Sequence, residues 1–285
     1  MIQQVVQGHA HRIWAEPSCR WRRLRRVRID RALRADLGAA LRSTPVRLYL
    51  GLQVAAGALF VWRRGQDTVS TVVLIWLALL ILAFFAWWAG RHPRARSGAD
   101  PVPAAKARAV FALLGVAGMS MWGAGLGGLS GPLLFLMGLG GWLWSAWRAG
   151  AQRGLKARLM RDPRPFLPML LLIGVPRLLA GGPGFLVGAT LALPSGIGQQ
   201  LLYLLGLYAP LEAATHRPGA AALISALLFA LIHVPLLLAP NGGDVLAALA
   251  NAMLFQAGVG LIACLAYQRH RAVVPIGVAH ALAIG

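Results

Sequence analysis

Thr68 to Gly90 reads TVSTVVLIWLALLILAFFAWWAG, without a charge in 23 positions. A helix rises about 1.5 Å per residue, so about 20 apolar residues cross the ~30 Å hydrocarbon layer of a bilayer. This stretch has the length and composition of a spanning helix. Its Trp87-Trp88 pair, just ahead of Arg91, fits an aromatic anchor at the membrane interface.

The same signature recurs along the chain. Ala109 to Trp147 is uncharged over about twice the spanning length and carries GGLSGP in its middle, which predicts two helices joined by a tight turn. Leu178 to Leu211, Gly219 to Gly243 and Val245 to Gln268 are further uncharged runs. Leu48 to Trp62 and Phe166 to Val175 are shorter, and span with the help of flanking arginines that snorkel outward. A last short run covers Ala272 to Gly285. The expected fold is all-α, a polytopic transmembrane helical bundle of eight to nine spans. It divides into a basic membrane-surface segment (1–47), N-terminal transmembrane helices (48–165) and a C-terminal transmembrane core (166–285).

Composition agrees. Of 285 residues, 58% are hydrophobic and 13% charged, against about 45–50% and 25% in soluble domains. The 28 Lys+Arg outnumber the 8 Asp+Glu and give a net charge of +20, a balance that fits nucleic acid or an anionic membrane surface. With nine spans and a cytoplasmic N-terminus, 25 of the 28 basic residues fall inside, and only Arg63, Arg64 and Arg177 outside. That asymmetry follows the positive-inside rule, and a nucleic-acid patch would not produce it. The expected location is the inner (plasma) membrane, multi-pass. The first 47 residues hold WRRLRRVRIDRALR and no apolar core of a signal peptide, so no cleavable signal is expected. Trp14, Trp21, Leu24, Val27 and Leu33 interleaved with arginine suit either an amphipathic segment on anionic headgroups or a solvated basic tail. Cys19 and Cys264 are too few and too far apart for a disulfide framework or a CxxC site.

Polar side chains in mid-span are costly and therefore candidates for function. Gln199 and Gln200, His233, Asn251, Gln256 and His280 are such residues. Counted from the cytoplasmic ends at 1.5 Å per residue, Gln200 lies roughly 17 Å deep, His233 roughly 21 Å and His280 roughly 12 Å. An amide pair and two imidazoles from three helices thus reach similar depth. Any one of them alone is accounted for as interhelical hydrogen bonding. Phe229 and His233 share a helix face, and Pro194 and Pro235 each remove a backbone hydrogen bond and can bend their helices beside the polar layer. Gly123, Gly125 and Gly128 satisfy GxGxxG, but no strand precedes them, and small-residue packing explains them better than a dinucleotide site. Zinc on His233 and His280 lacks further ligands at that depth, so no cofactor is expected.

These residues resemble the CPBP family of intramembrane proteases, which includes type II CAAX prenyl proteases and bacteriocin-processing or immunity relatives. The family pattern is EExxxR, then FxxxH about 30 residues later, a glycine-containing helix and a final HxxxN. The second motif is intact as Phe229-Ala-Leu-Ile-His233, and the third begins at His280 within VVPIGVAHAL. The resemblance covers Leu191 to Gly285. The first motif falls on Gln199-Gln200-Leu-Leu-Tyr203-Leu204, so glutamines replace both glutamates and leucine the arginine; Ile284 replaces the final asparagine. An alternative alignment on Glu212 and Arg217 leaves only about 21 residues to His233 and puts Glu212 at the membrane edge.

By that resemblance a glutamate activates water with the FxxxH histidine, and the third-motif His and Asn stabilise the oxyanion. A glutamine amide has no titratable site near neutral pH and cannot take the proton; neutral His233 can. The implied catalytic set is Gln199, Gln200, His233 and His280, with Tyr203, Phe229 and Asn251 around a substrate cavity. The implied partners are the lipid bilayer and a membrane-anchored or prenylated peptide or protein, and no nucleic acid. Three classes stay open: an intramembrane endopeptidase, an inactive relative acting as a membrane-peptide scaffold or immunity factor, and, least favoured, a transporter.

Overall fold

A computed structural model describes residues 43–89, 106–123, 125, 128–148, 156, 159 and 163–284. The basic N-terminal segment up to residue 42 lies outside them, Cys19 included, as do the side chains of Trp87, Trp88 and Ile284. The chain divides into two compact units, Met1–Leu48 and Tyr49–Gly285. The described residues are 92% helical and contain no strand. Inside a bilayer every backbone N–H and C=O must be paired within its own segment, and a helix does so without a partner strand.

Helix α1 (Thr44–Arg64) leads through a 3-10 turn (Gln66–Thr68) into α2 (Val69–Ala89). Helices α3 (Lys106–Gly123) and α4 (Ser130–Arg148) replace the single long run around GGLSGP, as the turn signal predicts. They pack backbone to backbone: a Cβ on Gly138 would fall on the backbone of Gly115. Five helical stretches are long and apolar enough to cross a membrane, with shorter apolar helices beside them. The chain is therefore a multi-pass, all-helical membrane protein.

The next stretch is the one the sequence left least defined. After a 3-10 turn at Arg164–Phe166, α5 runs from Leu167 to Gln200 and continues through a π-helical segment (Leu201–Tyr208) into α6 (Ala209–Thr215). Inside α5, Gly182 alone leaves helical geometry, with φ 56° and ψ −148°. Gly174 faces Leu282, while Gly196 faces Ala281. In a straight helix those two glycines would stand about 33 Å apart, so the chain doubles back at Gly182. The break falls at Gly182-Pro183. Pro194, expected to bend the segment before Gln199, sits in helical backbone, and α7 (Pro218–Leu238) runs through Pro235 to its end.

Helix α8 (Val245–Asn251) passes through a second π-helical segment (Ala252–Gln256) into α9 (Ala257–His270), and α10 (Val274–Ile284) closes the described chain. Polar ties join helix ends. Arg63 at the end of α1 bonds Asp244 ahead of α8, at 2.7 Å. Asp244 also caps α8, accepting from Leu246 and Ala247 N–H; the Ala247 amide and then Arg63 hold its carboxyl below the usual carboxylate range. At the opposite end of α9, Arg271 forms a two-point bond with Glu212, at 2.7 and 3.0 Å. Glu212 is thus engaged where α6 meets the α9–α10 turn, on a different partner from the two histidines.

Candidate active site

Helix α10 is laid into the hairpin of α5 by glycine. A Cβ on Gly277 would come within 2.7 Å of Ile197 Cα, and one on Gly196 within 2.8 Å of the Gly277 carbonyl. Nothing larger than glycine fits this crossing without separating the backbones. The approach brings His280, one turn further along α10, to the last turn of α5. There His280 Nε2 lies 3.2 Å from Gln199 Oε1, and Gln199 Nε2 donates to Ser195 Oγ at 3.2 Å. Because the amide nitrogen is directed at Ser195, its oxygen accepts, and His280 carries its proton on Nε2.

His233 reaches the same place from α7. Its Nδ1 is 2.6 Å from the carbonyl oxygen of Phe229. A carbonyl only accepts, so Nδ1 holds the proton and Nε2 presents a lone pair. Phe229 is the platform for both imidazoles: its ring centroid is 4.4 Å from that of His233 and 6.0 Å from that of His280. The Tyr203 ring lies 4.6 Å from that of Phe229, and its hydroxyl pairs with Cys264 Sγ at 3.2 Å. Gly260 lets α9 approach this layer, since a Cβ there would press on Tyr203 and Phe229.

A cavity of about 540 Å³ opens in front of these groups. Gln199, His233 and His280 line it with Ser195, Ser120 and Gln256 among otherwise apolar side chains. Gln200 does not. Its side chain is 1% exposed, its Oε1 has no hydrogen-bond partner, and it lines a second, smaller cavity of about 270 Å³ that shares only Gln256 and His280 with the first. Tyr203 and Phe229 stand behind the histidines, and Asn251 is outside the lining of either cavity. The sequence reading brought Gln199, Gln200, His233 and His280 together at one depth; the structure turns Gln200 to the other cavity and adds Ser195, which had no role in that reading, and Gln256, named there only as a polar mid-span candidate. Ser195 was legible as the residue one helical turn before Gln199. Gln256 was visible as a mid-span polar residue, but its direction depends on the π-helical turn that contains it. That turn has an extra residue and rotates the helix beyond it.

No carboxylate among the described residues lines the larger cavity. Among the described residues no three His, Cys, Asp or Glu side chains are grouped to hold a metal ion, so the donor set does not fit a zinc centre. Chemically, the site offers one imidazole lone pair, one imidazole N–H, a carboxamide and hydroxyls in a mostly apolar chamber.

Residues 181–283 match the family described as type II CAAX prenyl endopeptidase Rce1-like, consistent with the CPBP family read from the motifs. The match begins at the α5 turn and ends in α10, so it spans every residue that lines the polar end of the cavity except Ser120. No curated protein and no solved structure matches the chain.

Proposed function

We propose that this membrane protein, with a C-terminal core of the type II CAAX endopeptidase kind, hydrolyses a peptide bond of a membrane-anchored protein, with His233 as the general base. The observation that carries the reading is the fixed tautomer of His233, whose Nδ1–H is spent on the Phe229 carbonyl, leaving Nε2 as the lone-pair nitrogen of a residue that lines the cavity. Water bound there gives its proton to Nε2 as its oxygen attacks the scissile carbonyl. The carbonyl π pair moves onto oxygen, and the His280 N–H, which donates to Gln199 Oε1 at rest, is shared with that oxygen as it gains charge. Collapse restores the C=O, breaks the C–N bond and returns the proton from His233 to the leaving nitrogen. Gln199 holds His280 in place and takes no proton itself. The apolar lining suits a substrate segment arriving from the bilayer, such as a lipidated or transmembrane peptide.

The arginine distribution supports a cytoplasmic N-terminus in the plasma membrane, with Arg63, Arg64 and Arg177 on the far side. A second reading rests on the missing carboxylate: the same cavity captures a membrane peptide without cutting it. Purified protein in lipid nanodiscs with a fluorescent membrane-anchored peptide separates them. Cleavage by the wild type, reduced by about 10²-fold or more in His233→Ala, supports hydrolysis. Binding without product overturns it and leaves the scaffold.

A further inference from the structure

The membrane helices contain several hydroxyls; Ser225 on α7 is buried without a hydrogen-bond partner, and Ser195 is bonded differently again. Thr190 and Thr215 each donate to the carbonyl four residues back, at 2.7 Å, and Ser120 does so at 3.3 Å. In an apolar chamber this is where a helical hydroxyl ordinarily spends its proton. Ser120, which also lines the cavity, is thus committed to its own helix. Ser195 makes a different bond: its oxygen receives the Gln199 amide N–H, and its proton is not given to Leu191. Accepting a hydrogen bond polarises the O–H and strengthens it as a donor. The result is a cavity-lining hydroxyl whose oxygen is held by the carboxamide that also receives His280 Nε2, and whose proton is not spent on that contact.

Ser195 Oγ thus accepts from one end of the Gln199 amide and His280 Nε2–H donates to the other, each at 3.2 Å, so the Ser195 proton is spent on neither contact while the His280 proton is shared with Gln199. An oxygen acquiring negative charge is stabilised by such fixed donors in a water-poor site. The family's final motif places an asparagine where this chain has Ile284, which has no donor to offer. We propose that Ser195 is a catalytic residue, the second oxyanion donor of this site. The proposal rests on the hydrolytic reading of the cavity. As the water oxygen bonds to the scissile carbon and its proton passes to His233, the electron pair displaced onto the carbonyl oxygen is held by the Ser195 and His280 protons. Both protons stay with their owners, and the pair returns to the C=O when the C–N bond breaks. Gln199 then has a structural reason to be an amide: its N–H end orients Ser195 and its oxygen end orients His280, a pairing a carboxylate cannot make without a proton.

The test uses the full chain in nanodiscs and the same anchored peptide, with kcat and KM measured for wild type, Ser195→Ala and Ser195→Thr. Loss of one oxyanion donor lowers kcat by about 10²- to 10³-fold, so Ser195→Ala is expected to fall by that factor with KM nearly unchanged and an unaltered melting temperature. Ser195→Thr, which restores the hydroxyl, is expected to recover most of the rate. A wild type that cleaves while Ser195→Ala keeps its kcat within about threefold overturns the role of Ser195 and leaves the hydrolytic reading standing. An equal loss in Ser195→Thr and Ser195→Ala also overturns it, because packing rather than the hydroxyl is then what matters. A wild type that binds the peptide and makes no product sinks the hydrolytic reading, and this role with it.

Discussion

Gln199 and Gln200 are adjacent in the chain and face different cavities. Gln199 bonds His280 and Ser195 in the chamber that His233 borders; Gln200 is buried with an unpaired oxygen on the other side of α5. The two glutamines are interchangeable as letters in the first motif, and consecutive helical residues diverge by about 100° around the axis. Introduced carboxylates should therefore behave differently. Gln199→Glu removes the amide N–H that orients Ser195 and draws the Ser195 proton onto its carboxylate, so it is expected to lower kcat with the melting temperature nearly kept. Gln200→Glu buries a carboxylate in the smaller cavity, and is expected to lower the melting temperature with kcat nearly kept in the protein that remains folded. Peptide turnover and thermal unfolding of the two variants, measured side by side, check this; equal losses of kcat would refute the separation. That His233 can accept a proton was legible from its residue type. Which nitrogen accepts was not, because the tautomer is set by a carbonyl contact that exists only once α7 has formed.

At the scale of elements, the site depends on how closely α10 lies in the α5 hairpin. Two glycines make that crossing, and each lacks room for a side chain. Gly277→Ala forces Ile197 and α10 apart and is expected to break the Gln199–His280 bond, lowering kcat more than it lowers peptide binding. Gly182 differs. No atom stands within 4 Å of a Cβ built there, so Gly182→Ala meets only the backbone cost of an unusual φ/ψ, about 1–3 kcal/mol. Its effect should be seen in stability, with kcat nearly kept in the protein that remains folded. Kinetics and melting curves on the pair test whether packing at the crossing or the turn itself positions His280. The prolines drew attention in the sequence because they lack an N–H. Pro194 and Pro235 are nevertheless accommodated inside helices, since in a membrane bundle neighbouring helices and local backbone adjustments take up the freed carbonyl. The break comes instead where Gly182 precedes Pro183, and glycine alone takes that φ/ψ readily.

For the whole molecule, polar ties mark two ends of the helical core. Arg63 meets Asp244 at one, and Glu212 meets Arg271 at the other. These pairings agree with strict alternation of α1, α7 and the α8–α9 unit through a bilayer, and the proposed cytoplasmic N-terminus would put the Glu212 end inside. A cysteine introduced at Arg64 should react with a membrane-impermeant maleimide added outside intact cells, whereas one at Arg217 should react only after permeabilisation; the reverse pattern would invert the orientation. The sequence by itself determined that this is an α-helical, multi-pass membrane protein, because uncharged runs of spanning length admit no other paired backbone. It also determined which few polar residues lie at mid-depth, because rise per residue is fixed. Direction was decided only by the tertiary structure. Whether a polar side chain at that depth faces a cavity, a neighbour or nothing depends on the Gly182 reversal, on two π-helical turns and on the glycine crossing of α5 and α10. Each of these sets rotation about a helix axis, and rotation is a property of packed helices that no single run of residues encodes.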